Sequence, residues 1–78
     1  MSKKLDGLTF VVTGALEGFT RVSIGEFIES HGGKISETVN AKTSFLVVGD
    51  KPGESKIGKS VDFGVKVIEL GTLMKMVV

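Results

Sequence analysis

Two nearly unbroken apolar runs, Leu8-Thr9-Phe10-Val11-Val12 and Phe45-Leu46-Val47-Val48, limit most narrowly what this chain can fold into. A strand with one face in water alternates apolar and polar residues. A strand that stays apolar at successive positions is covered on both faces. Such strands need helices above and below the sheet, which points to an α/β architecture. The first run ends in Thr13-Gly14, so a buried strand leads straight into a hydroxyl and a glycine.

The remaining segments fit that frame. Ile24, Phe27, Ile28 and His31 fall at i, i+3, i+4 and i+7, one face of a helix. Its start is open between Thr20 as cap and Ser23 with Glu26 as a capping box. Gly25 inside it costs about 1 kcal/mol relative to alanine, so this helix depends on packing. Gly32-Gly33 stops it. A short strand follows over Lys34–Ser36, then the central strand Phe45–Val48 and a loop from Gly49 to Gly53 containing Pro52. The spacing predicts a second helix over Ser55–Phe63, ended by Gly64, a fourth strand over Val65–Ile68 and a last helix over Leu73–Val77. The order β-α-β-β-α-β-α implies a four-stranded, mostly parallel sheet flanked by three helices. Residues 1–4 read as a flexible start and 5–78 as a single domain.

Composition narrows the function. The chain has 78 residues and no cysteine, so neither disulfides nor a thiolate metal site contribute to folding. Its longest apolar runs, about four residues, are far too short to span a membrane. Ten Lys and Arg against nine Asp and Glu leave a formal net charge of +1, too little for a general polyanion binder. Nucleic-acid contact must then come from local clusters of charge. With no Trp, no Tyr and five Phe in apolar patterns, a stacking platform for single-stranded bases is not expected.

One corner offers anion chemistry. Thr13 and Gly14 leave the carboxyl end of the first strand, where open α/β sheets bind ligands, and can offer a hydroxyl and free N–H groups to a phosphate oxygen. A tight turn at a capped strand end is the alternative. Arg21, at the start of the first helix, can present a bidentate fork to phosphate or lie solvated on the surface. Lys56 and Lys59 are three apart on the second helix, near its expected positive end. Two cations there are unfavourable unless an anion joins them; the alternative is a solvated charged face. Lys42-Thr43 is read as structural with a peripheral role at most. His31, the one histidine, is read as structural, since a metal site needs partners that this chain does not supply.

The chain resembles a BRCT domain over roughly Leu5 to Val78. The elements that carry the resemblance are Leu5-x-Gly7-x-x-Phe10-Val11-Val12-Thr13-Gly14, Thr20-Arg21 and His31-Gly32-Gly33-Lys34. They continue with Val39-x-x-Lys42-Thr43-x-x-Leu46-Val47, Ser55-Lys56-x-x-Lys59 and Gly64-Val65-Lys66-Val67-Ile68. Six elements in register are specific where each alone is not. The similarity is greatest to the single BRCT domains of NAD-dependent DNA ligases and of the large subunit of the eukaryotic clamp loader, replication factor C. Pro52-Gly53 resembles the ligase form, and the length of Gly49–Lys56 the clamp-loader form. The tryptophan that many members carry in the last helix is replaced here by Leu73 and Met74, and Val22-Ser23 stands where acidic residues are usual.

The resemblance implies a non-catalytic recognition module of a DNA replication or repair protein, with no cofactor. Its ligand would be DNA with a 5′-phosphorylated end, held by Thr13, Gly14, Arg21, Lys56 and Lys59 with Lys42 and Thr43 peripheral. The alternatives are a phosphoprotein or other domains of the parent protein as partner. The compartment would be the nucleus in a eukaryote and the cytoplasm in a bacterium.

Enzyme readings fail on residues. Val11-Val12-Thr13-Gly14-x-x-x-Gly18 resembles the opening of short-chain dehydrogenases, but Thr20 stands where the next glycine belongs and the catalytic tyrosine is missing. No Gly-Lys-Ser or Gly-Lys-Thr follows at P-loop spacing.

Overall fold

The computed structural model describes residues 4–78, so the flexible start expected over residues 1–4 lies, apart from the exposed Lys4, outside the described residues. The elements run β1 (Thr9–Thr13), α1 (Arg21–Ser30), β2 (Lys34–Ile35), β3 (Phe45–Val48), α2 (Glu54–Asp62), β4 (Lys66–Glu69) and α3 (Leu70–Met76). The strands form one sheet in the order β2-β1-β3-β4, and every pairing is parallel. The expected architecture is therefore present, with a sheet parallel throughout. All four strands end at the same edge of the sheet.

Alternation along β1 splits the core in two. Phe10 points to the face covered by α1 and α3, where it packs with Ile24, Ile28, Val47, Ile68 and Leu73. Val11 points the other way and packs with Leu46 and Val39 beneath Ile57 of α2. The central strands are thus buried on both faces, as their unbroken apolar runs require. Phe10 and Phe45, paired across β1 and β3, stack with ring centroids 5.5 Å apart.

The helix ends resolve what the sequence left open. Thr20 caps α1: its Oγ1 accepts the Ser23 N–H at 3.0 Å, and Ser23 Oγ accepts the Thr20 N–H at 2.8 Å. Both candidate residues are used, with Ser23 rather than Glu26 closing the box. At the other end of α1, Gly33 N–H donates to Ile28 O and Gly32 N–H to Glu29 O, both at 3.0 Å, with Gly32 at φ +91°. This is the paired 6→1 and 5→2 closure of a Schellman motif. Helix α2 ends the same way, through Val65 N–H to Ser60 O and Gly64 N–H to Val61 O. Val65, expected to open the fourth strand, instead closes the preceding helix, and β4 begins one residue later.

Helix α3 starts at Leu70, three residues ahead of the expected Leu73. Gly71-Thr72 looks like a break in sequence, but the extended Glu69 at the end of β4 leads directly into the helix. His31 sits in the structural role expected of it, its Nδ1 2.9 Å from Phe27 O and its ring against that of Phe27 at 4.7 Å.

Gly33 is required for a different reason from Gly32. A Cβ there would stand 2.7 Å from Ile28 Cγ2 and 3.1 Å from Leu5 Cβ, inside the α1 core. Gly33→Ala is expected to destabilise the domain by about 1–3 kcal/mol through overpacking. Thermal or urea unfolding measures this; an unchanged midpoint would mean that the α1–β2 junction can shift to admit a methyl group.

Candidate phosphate-binding site

The carboxyl edge of β1 is built by two loops that clasp each other. Beyond the paired strands, Ala15 N–H donates to Asp50 O at 3.0 Å and Asp50 N–H to Ala15 O at 2.8 Å, an antiparallel bridge added to a parallel sheet. Gly14 (φ +84°) permits this approach, since a Cβ there would lie 2.7 Å from Asp50 O. One N–H expected to be free beyond Thr13, that of Ala15, is therefore engaged.

Thr13 is 4% exposed, and its side chain turns to the α2 face. Its Oγ1 accepts the Gly53 N–H at 2.8 Å, which fixes the start of α2 against the end of β1. The hydroxyl is thus a structural acceptor, and this bond leaves its own proton uncommitted. Gly53 supplies no side chain to cap α2, so the first-turn N–H groups of this helix have no side-chain acceptor from it. Those donors carry the positive end of the helix dipole toward the same edge.

Arg21 approaches from the opposite face of the sheet. It is exposed at the start of α1 and lines a cleft of about 200 Å³ together with Val12, Gly14, Ala15 and Thr20. It also lines a smaller cleft of about 50 Å³ beside Ser36 and Glu37 at the end of β2. Thr13 and Arg21 therefore meet only at the rim of the sheet, with Gly14 between them.

Lys56 is half-buried, and its Nζ donates to the Glu37 carbonyl at 2.8 Å. This bond ties the first turn of α2 to the chain leaving β2, across the end of β1. Lys59 is exposed and falls in the last turn of the nine-residue α2, where a cation suits the helix dipole. The expectation that both lysines crowd a positive helix end therefore holds for Lys56 alone, and Glu54 in the first turn offsets it. Lys42 and Thr43 lie just ahead of β3, at the opposite edge of the sheet. Thr43 is buried there, its Oγ1 accepting the Asn40 N–H at 3.0 Å in a turn. The structure thus places Thr13, Gly14, Arg21 and Lys56 at one edge and leaves Lys42 and Thr43 away from it.

Sequence reasoning did not single out Lys51, which projects from the loop bridged to Ala15, nor the acidic residues at this edge. Glu37, Asp50 and Glu54 lie among the cations, so the rim is mixed in charge.

A family model, the BRCA1 C Terminus (BRCT) domain, matches residues 2–74. The chain belongs to the BRCT family. Among its relatives, a DNA ligase of Thermosipho africanus is 49% identical over 99% of this chain, and a DNA ligase of Corynebacterium jeikeium is 52% identical over 87% of it. The chain spans only 11% and 10% of the lengths of those two relatives. A solved structure, the Schizosaccharomyces pombe Rad4 BRCT3,4 crystal structure, superposes with a TM-score of 0.77 at 19% identity, over 94% of this chain and 41% of that one. At that identity the likeness is one of fold, and it places this sheet and its three helices within the BRCT architecture.

The bond from Gly53 N–H to Thr13 gives this edge of the BRCT domain a direct test. Thr13→Val keeps the shape and removes the acceptor, and is expected to cost about 1–2 kcal/mol. Thr13→Ser, which keeps the hydroxyl, is expected to retain most of the stability. Urea unfolding of the two variants checks this; a stable Thr13→Val beside a weakened Thr13→Ser would show that the methyl group, not the hydroxyl, holds the junction.

Proposed function

We propose that this BRCT domain is a non-catalytic recognition module of a DNA replication or repair enzyme, binding DNA through a phosphate at the carboxyl edge of β1, with a 5′-phosphorylated end as ligand. The observation that carries this reading is the start of α2. It has no side-chain cap, and it is fixed by Thr13 beside Gly14, with a cationic side chain reaching the rim from each face of the sheet. In the assigned roles, the Thr13 hydroxyl and the first N–H groups of α2 donate to phosphate oxygens. Arg21 supplies a charge-assisted fork. Lys56 supplies a point charge once it leaves the Glu37 carbonyl, and Lys59 meets the backbone farther along α2. Lys42 and Thr43, at the far edge, have no part in this seat.

The choice of DNA as the phosphate-bearing polymer is supported by relatives that bear the name DNA ligase at 49% and 52% identity. The clamp-loader resemblance draws no support from these relatives. They are bacterial, so the cytoplasm is the compartment the reading implies. No helix among the described residues is long and apolar enough to cross a membrane.

Net charge agrees with recognition of one end and a few backbone phosphates rather than a long tract. Three to five phosphates engaged would give a log–log salt slope of about −3 to −5. The test is a fluorescence-anisotropy titration against matched duplexes ending in 5′-phosphate or 5′-hydroxyl. The expected result is tighter binding to the phosphorylated end, with Arg21→Ala weakening it about tenfold or more. Equal, weak binding to both duplexes would overturn the reading and leave phosphopeptides or neighbouring domains as ligands.

A further inference from the structure

Among the described residues, Lys51 is the one non-glycine residue with a positive φ, at +52°. The left-handed region brings Cβ against the following carbonyl, and glycine or asparagine usually fills it. Pro52 restricts this residue further, because the ring behind it crowds the preceding backbone. The conformation is imposed from both sides. Asp50 is bridged to Ala15 through two hydrogen bonds, and Gly53 is bonded to Thr13, so the residue between them turns within a fixed span.

The side chain returns nothing to the fold. Lys51 is exposed, so no burial offsets its backbone strain, and a glycine would serve the turn better. Strained residues that the surrounding structure over-determines cluster at functional sites. What lysine adds here, and glycine could not, is a cation on the loop whose Asp50 is bridged to Ala15, at the edge that also carries Arg21 and Lys56. It also stands next to Asp50, so its charge serves a ligand only if that ligand is anionic and close.

We propose that Lys51 is a further phosphate contact of the domain. It binds the backbone phosphate next to the terminal one, and the strained loop holds it at the rim. This inference rests on the DNA reading above and adds to it a residue outside the Thr13–Gly14–Arg21–Lys56 set. As a compact, strongly hydrated charge, the ammonium contributes affinity and register but no sequence preference.

Strain and charge separate by substitution. Lys51→Gln keeps the strain and removes the charge; Lys51→Gly removes both; Lys51→Arg keeps both. Lys75→Gln, in the last turn of α3, is the remote control. Each variant is titrated against the 5′-phosphorylated duplex over a salt series and melted without DNA. Lys51→Gln and Lys51→Gly are expected to lose several-fold in affinity and to reduce the salt slope by about one. Only Lys51→Gly is expected to melt higher, by about 4 °C. Lys51→Arg and Lys75→Gln should keep the wild-type slope. If the wild type prefers the phosphorylated end while Lys51→Gln keeps the full slope, Lys51 is no contact and the strain serves the turn alone. A wild-type chain indifferent to the 5′-phosphate sinks the end-recognition reading first, and this one with it.

Discussion

Because β1 and β3 lie side by side in the middle of an all-parallel sheet, both must be buried on both faces, and that double burial dictates the rest of the molecule. It forces alternate residues of one strand into two separate cores, Phe10 on one side and Val11 on the other. It requires crossover connections between strands, which put α1 and α3 over one face and α2 over the other. It also brings every strand's carboxyl end to one edge, where the chain must turn and the helices begin. The candidate edge is a by-product of strand direction before it is anything else.

This explains what was legible in the sequence. The runs Leu8–Val12 and Phe45–Val48 carry the double burial in their composition, so the central strands and the α/β class can be read directly. Thr13-Gly14 at the end of such a run then marks the edge. Features that depend on backbone closure are hidden. Val65 has the look of a strand residue and serves as the end of a Schellman motif, because its N–H, not its side chain, decides its role. Leu70 opens α3 despite Gly71, because the end of β4 already holds the backbone in the entry geometry.

The candidate site divides along the same line. Thr13, Gly14 and Arg21 follow from their positions at strand and helix ends. Lys42 and Thr43 read as neighbours of the site only if the crossover is ignored, since the loop from β2 to β3 carries them to the far edge. The bond from Lys56 to Glu37 joins residues 19 apart through a carbonyl, which no side-chain pattern records. Lys51 is hidden for a simpler reason: a dihedral angle leaves no mark in the letters. The mixed charges of the rim matter here too. With Glu37, Asp50 and Glu54 among the cations, long-range attraction is weak, and the proposed seat would discriminate through donors at fixed positions.

The bridge between Ala15 and Asp50 links the loops that follow β1 and β3. Closing it extends the β1–β3 ladder beyond the strands, so the mouth cannot widen without disturbing the central pair. Amides there should open to solvent only with the core itself, in the largest cooperative unit of the molecule. The phosphate proposed for this mouth would therefore meet loops already in place, and its binding would lose little entropy to gathering a floppy segment.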